Sequence, residues 1–415
     1  MKHWPVLALA VLATMPAYGQ QLPSADDIKR GEYLARLGDC TACHTAPGGL
    51  DYAGGLPMGM PFGTIYSTNI TPDPETGIGD YSLADFDAAL RRGIGKDGHH
   101  LYPAMPYPSF IKTDDADVKA LYAYFMHGVA PVKLANKVND VPWPLDIRWP
   151  LGVWNWVYAD TEIFKPAPGR DPDLNRGAYL VEGLGHCGAC HTPRGIGYQE
   201  KATDDGDAAF LAGGPVLDGW VAPSLRLGGT DSGKQWTMLD LVDFLGTGRS
   251  LHWAAFGGMS DVIRHSGQYM TAEDQQAIAK YLMALHPAET KAGAPVRPDG
   301  TASALHAGDI SRPGAAAYVD SCAACHRTDG AGYERVFPKL AGNPAVLQDD
   351  ASNLITVILK GSTLPATAKA PSQFTMPPFG PRLSDQEAAD LVNFVRSSWG
   401  NQAPPVRAKD VAALR

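Results

Sequence analysis

The chain has few cysteines and none to spare. Its 415 residues include six, all held in three copies of one pentapeptide. A disulfide framework therefore has no cysteine left to build it. The chain also lacks a surplus of positive charge. Its 35 Lys and Arg face 44 Asp and Glu, a net charge of −9, which argues against nucleic acid as a partner. Beyond the N-terminus it lacks a long apolar run, because Gly, Pro or a charge breaks each candidate, so no later segment reads as a membrane span. A Ser-His-Asp arrangement, a phosphate-binding glycine loop and a dinucleotide fingerprint are missing too. Nothing here reads as a substrate-converting site of the chain's own.

What is present is Cys-x-x-Cys-His, three times: Cys40, Cys43 and His44; Cys187, Cys190 and His191; Cys322, Cys325 and His326. This is the attachment signature of c-type haem. Two thiols bond to the porphyrin, and the histidine that follows is placed to ligate the iron. Zinc ribbons pair two Cys-x-x-Cys motifs only about 15–20 residues apart, and these copies lie much further from one another. A thioredoxin-like pair does not call for the histidine. Three covalently bound haem c are expected.

The N-terminus reads as an export signal over residues 1–19. Lys2 supplies the positive start and Val6–Ala13 the apolar stretch, with Ala17-Tyr18-Gly19 as a cleavage site before Gln20. A periplasmic mature chain is the expectation.

The context of the pentapeptide also repeats. Arg30-Gly31-Glu32-Tyr33-Leu34 precedes the first copy, Arg176-Gly177-Ala178-Tyr179-Leu180 the second and Gly314-Ala315-Ala316-Ala317-Tyr318-Val319 the third. Each reads as a short helix delivering an apolar-aromatic face and then the cysteines. A second helix closes each repeat, starting near Thr113, Thr271 and Ser384, where a Ser/Thr cap precedes acidic residues. Three domains are expected at 20–168, 169–290 and 305–405. Pro/Gly-rich linkers fall at Lys165–Gly169 and about Pro287–Ala304.

The sixth iron ligand separates a carrier from a catalyst. A methionine thioether raises the potential and closes the iron to small molecules. After His326 there is one methionine, Met376, and no further histidine. Met105 stands ahead of Thr113 at the spacing that separates Met376 from Ser384, and so is preferred in the first repeat over Met58, Met60 and Met126. In the second repeat Met259 is preferred over Met238, Met270 and Met283, with His252 and His265 as alternatives. The other imidazole nitrogen needs a partner. Backbone carbonyls of Thr68, Pro223 and Pro338 are the candidates.

The segments Tyr66–Gly79, Leu101–Tyr107, Ile147–Leu151 and Arg396–Gly400 carry a closer resemblance. From about Asp27 to Gly400 the chain resembles the triple-haem cytochrome c subunits of bacterial membrane-bound dehydrogenases for alcohols, gluconate and sugars. The resemblance implies a mainly α fold of three tandem class I cytochrome c domains with extended loops. It also implies an electron chain. A flavin- or PQQ-dependent catalytic subunit, accompanied by a small accessory subunit, would oxidise the substrate at the inner membrane surface, and electrons would pass to ubiquinone. The family's ligands carry over onto His44, His191, His326, Met105, Met259 and Met376. A self-contained, peroxidase-like multihaem enzyme with one open haem is the alternative.

The stretch Trp143, Trp149, Trp154, Trp156 and Tyr158 holds an unusual density of rings. Two readings stand: packing between haem domains, or docking to a partner or a membrane surface.

Overall fold

The structure is a computed structural model that describes residues 22–415, apart from 61, 160, 218, 228–235 and 287–298. The expected signal segment Met1–Gly19 and most of the expected Pro287–Ala304 linker lie outside the described residues.

Each repeat is framed by a leading helix and a closing helix that cross. The leading helices are Ala25–Leu37, Pro172–Ala178 and Ala315–Ser321. The closing helices are Asp115–His127, Ala272–Ala284 and Asp385–Arg396. Ser24 starts the first leading helix with a reciprocal capping box to Asp27, and Ser384 does the same for the last closing helix with Glu387. Thr271 caps its helix as expected. The first closing helix differs. Its cap is Asp114, whose carboxylate accepts from the Asp117 N–H, so the helix begins one residue later than Thr113 indicated. An ionised Asp at the cap satisfies the free N–H and also faces the positive end of the helix dipole.

Glycine permits the crossings. A Cβ on Gly31 would lie 1.9 Å from the Ala120 carbonyl oxygen, one on Gly177 would lie 2.1 Å from that of Ala277, and one on Gly314 would lie 2.3 Å from that of Asp390. No real side chain fits at such separations. The repeated glycine is therefore the point where two helix backbones touch.

The extended segments are short. Three two-stranded antiparallel hairpins pair Pro57–Met60 with Gly63–Tyr66, Val216–Leu217 with Trp220–Val221, and Ser362–Thr363 with Thr375–Met376. Further helices, among them Leu83–Arg92, Met238–Thr247 and Ser352–Lys360, are set among long loops, as the 45 Gly and 34 Pro indicate.

The apolar interior is divided unevenly. Residues from the first two repeats share one core, in which Leu34, Leu121 and Phe125 belong to the same cluster as Leu180, Leu184 and Tyr281. The third repeat builds its own around Tyr318, Ile358, Leu391, Phe394 and Trp399. A smaller cluster of Ala255, Ile263 and Leu364, with Met259 and Phe374 against it, joins the second repeat to the third.

The aromatic stretch lies outside these cores. Helix Pro150–Tyr158 has no buried residue, and Trp143, Trp149 and Trp156 are largely exposed. Trp154 is tied down, its Nε1 donating to the Gly197 carbonyl at 2.8 Å, and Tyr158 packs against it with ring centroids 5.6 Å apart. Packing between haem domains therefore accounts for Trp154 and Tyr158, which lie between Tyr107 of the first repeat and Gly197 of the second, but not for Trp143, Trp149 and Trp156.

Candidate functional site

Each pentapeptide ends in a short helix: Cys40–His44, Gly188–His191 and Ala323–His326. In the second and third copies the histidine N–H donates to the carbonyl of the first cysteine at 2.9 Å. One helical turn thus brings the first cysteine and the histidine onto one face. Asp39 and His186, directly ahead of Cys40 and Cys187, adopt the left-handed conformation that turns the chain into these helices.

The three histidines are held alike. Nδ1 of His44 lies 2.7 Å from the Thr68 carbonyl, that of His191 2.7 Å from Pro223, and that of His326 2.9 Å from Pro338. A carbonyl only accepts, so Nδ1 carries the proton. Burial outweighs these bonds and holds all three imidazoles below their ordinary pKa. The neutral ring then presents its Nε2 lone pair, the form that binds a metal. All three carbonyls were legible in advance from their positions.

None of the six cysteines pairs with another in a disulfide. Burial pushes Cys40, Cys187 and Cys322 up to about 12 and Cys43 up to about 11. Among the described residues no three His, Cys, Asp or Glu group to hold a bare metal ion.

The third repeat shows how a planar apolar group is accommodated. A cleft is lined by Cys322, Cys325 and His326 and by Leu354, Ile358 and Met376. The donor set and the apolar wall fit haem. Met376 sits on the last strand, paired with Ser362, so its place is fixed by a backbone ladder. Ala254–Phe256 of the second repeat complete the wall.

The other two expected methionines are placed differently. Met105 packs against the shared core, with which Cys40 is also in contact. Met259 lies in helix Gly258–His265, in the small cluster with Leu364 and Phe374 of the third repeat. Met126, Met238, Met270 and Met283 pack against the shared core. Met58 and Met60 pack near Ile65, Tyr102 and Val141. His252 stands edge-on to Trp253, their ring centroids 6.4 Å apart.

Two acidic groups beside the motifs were not anticipated. Burial, then the negative charge of Asp261, pushes Asp39 up to about 8. Burial pushes Glu200 up to about 7, against the pull of Arg194 and Lys112. Adjacency to Cys40 marks Asp39 in the sequence, whereas nothing local marks Glu200.

Comparison with known proteins adds the following. The family described as Cytochrome c matches residues 28–128 and 311–399. The chain is 54% identical over 417 residues to the gluconate 2-dehydrogenase cytochrome c subunit of Pantoea cypripedii, covering 99% of this chain and 94% of that one. It is 53% identical over 401 residues to the cytochrome c subunit of alcohol dehydrogenase (quinone) of Gluconacetobacter polyoxogenes, covering 95% and 86%. It is 38% identical over 418 residues to the fructose dehydrogenase cytochrome subunit of Gluconobacter japonicus, covering 94% and 82%.

Proposed function

Since this chain belongs to the family of cytochrome c subunits of bacterial dehydrogenases and binds three haem c covalently, we propose that it carries electrons from a flavin- or PQQ-dependent catalytic subunit to ubiquinone at the periplasmic face of the inner membrane. The observation that carries the reading is the threefold arrangement of two cysteines and a neutral histidine held by a backbone carbonyl.

Haem c, when bound, supplies one-electron exchange at its iron. The residues of the chain do the rest. Cys40, Cys43, Cys187, Cys190, Cys322 and Cys325 would anchor the porphyrins, and His44, His191 and His326 would each offer Nε2 to an iron. We assign Met105, Met259 and Met376 as the further iron ligands, whose thioethers would favour the reduced iron and exclude small molecules. The relatives are named for the oxidation of gluconate, alcohol and fructose. A partner that oxidises a CH–OH group is the corresponding proposal here, with a small accessory subunit in the same complex.

No helix among the described residues is long and apolar enough to cross a membrane. The charge-free helix Pro150–Tyr158, with Trp149 and Trp156 outward, supports seating on the membrane surface.

The test is purification of the chain from membranes with its partner. Substrate-driven reduction of all three haems, followed by reduction of a short-chain ubiquinone, is the expected result. Haems that stay oxidised while the partner turns over would overturn it. A near-infrared methionine-to-iron band should weaken stepwise on Met105→Ala, Met259→Ala and Met376→Ala.

One observation favours a second reading. Met259 sits in a cluster shared with the third repeat. A second haem that binds cyanide or turns over peroxide in the native chain would point to a self-contained multihaem enzyme.

A further inference from the structure

The first two repeats are tied by one set of hydrogen bonds made in both directions. Arg30 Nε donates to Asp117 Oδ1 at 2.8 Å within the first repeat. The phenol of Tyr179, from the second, donates to Asp117 Oδ2 at 2.6 Å. Arg176 Nε donates to Asp274 Oδ1 at 2.8 Å within the second repeat. The phenol of Tyr33, from the first, donates to Asp274 Oδ2 at 2.6 Å. Each phenol oxygen also accepts from the cap of the other repeat's closing helix: Tyr179 from the Asp114 N–H at 3.3 Å, and Tyr33 from the Thr271 N–H at 3.2 Å. Each tyrosine therefore crosses to the arginine–aspartate pair of its neighbour.

These bonds are buried ones. The Asp117 side chain is fully enclosed and that of Asp274 nearly so. An enclosed carboxylate needs several donors to be tolerated. Burial alone would raise the Asp274 carboxyl, yet the hydrogen bonds from Arg176 and Tyr33 hold it below its ordinary range. Burial, then the bond to Asp274, pushes Tyr33 up to about 12, so its hydroxyl remains a donor.

The third repeat has the same helices without this device. Its Gly314 takes the place of Gly31 and Gly177 at the helix crossing. Pro313 and Ala316 then stand where the others have arginine and tyrosine. Its acidic residue, Glu387, turns back to its own cap Ser384 at 2.7 Å. The exchange is specific to the first two repeats, and no general need of the helix pair accounts for it.

The two attachment segments meet on the same side. Gly38, just ahead of Asp39 and Cys40, has its carbonyl 3.3 Å from Nε2 of His186, the residue before Cys187. Ser266 of the second repeat donates to the Leu37 carbonyl at 3.2 Å.

We propose that Arg30, Tyr33 and Asp117, with Arg176, Tyr179 and Asp274, are positioning residues that hold the first two haems at a fixed separation as one redox-coupled pair. An electron passing within the pair oxidises one centre and reduces the other, with no bond or proton changing hands. The pairing needs only the bound haems. It stands or fails separately from the identity of donor and acceptor.

The test uses the full chain loaded with three haems and the double variant Tyr33→Phe/Tyr179→Phe, which removes two hydroxyls and keeps the rings. Dipolar broadening between the first two ferric haems in EPR, and the splitting of their potentials, should be present in the native chain. Both should be lost or diminished in the variant, with the third haem's signal unchanged. Tyr318→Phe, in the third repeat, should leave the pair untouched. If the double variant loads poorly, Arg30→Gln replaces a half-exposed residue and serves in its place. Native coupling and splitting retained in a folded variant would overturn the proposal, as would equal disturbance of all three haems.

Discussion

The first two repeats and the third are built from the same helix crossing but are stabilised differently. The first two share a core and interlock through buried carboxylates. The third has its own core and meets its neighbour mainly through helix Ser352–Lys360, which sits against the hairpin strand Trp220–Val221. The Asn353 side chain bonds both the N–H and the carbonyl of Val221 at 2.8 Å. Thr356 donates to the Gly219 carbonyl at 2.9 Å, and Arg335 pairs with Asp243 at 2.7 Å. A repeated sequence can thus fold into a fused pair and an appended unit, according to which residues flank the crossing glycine.

The largest expected effect comes from Asp117→Ala. It strips the buried carboxylate from between Arg30 and Tyr179. The cost should be about 3 kcal/mol, at the low end for a buried pair because Arg30 keeps about half its surface in water. Thermal unfolding followed at each haem should show the first two repeats lowered together. If only the first repeat falls, the pair is not fused. Gly177→Ala should follow, at about 2 kcal/mol for forcing a Cβ against the Ala277 carbonyl, and it should again lower both. Smaller still is Glu387→Ala. It breaks the capping box on the third closing helix for about 1 kcal/mol, and only the third repeat should respond.

The weakest lever is acid. The Asp274 carboxyl is held below its ordinary value of 3.8 in the folded chain. Its stabilisation is therefore complete above about pH 4 and fades as pH falls through the lowered value. Acid titration should loosen the pair in that window, and Asp274→Asn should remove that part of the pH dependence.

Much of this was legible because it is local. The three pentapeptides, the repeated helices and the caps Thr271 and Ser384 follow from spacing alone. The cap at Asp114 lay one residue from the one chosen, where two competent caps stand side by side. Thr68, Pro223 and Pro338 were placed by position. The pair was not legible, although every residue of it was in view. Arg30 and Tyr33 read as an ordinary helix face, and Asp117 reads as an ordinary first-turn acid. Only the approach of two segments distant in sequence gives them to each other. Met259 is similar, since its neighbours Leu364 and Phe374 come from another repeat. The exposed rings of Trp149 and Trp156 could not be separated from packed ones by composition, because tryptophan serves both settings.

The carbonyls of Thr68, Pro223 and Pro338 have one more consequence. Each accepts the hydrogen bond from the Nδ1–H of its histidine, and an iron bound at Nε2 would occupy the remaining nitrogen. No imidazole of these centres is left to act as an acid or a base. If, as proposed, a partner oxidises a CH–OH group upstream, these three histidines would take no part in moving its protons. An acceptor downstream would then draw its protons from groups other than these imidazoles.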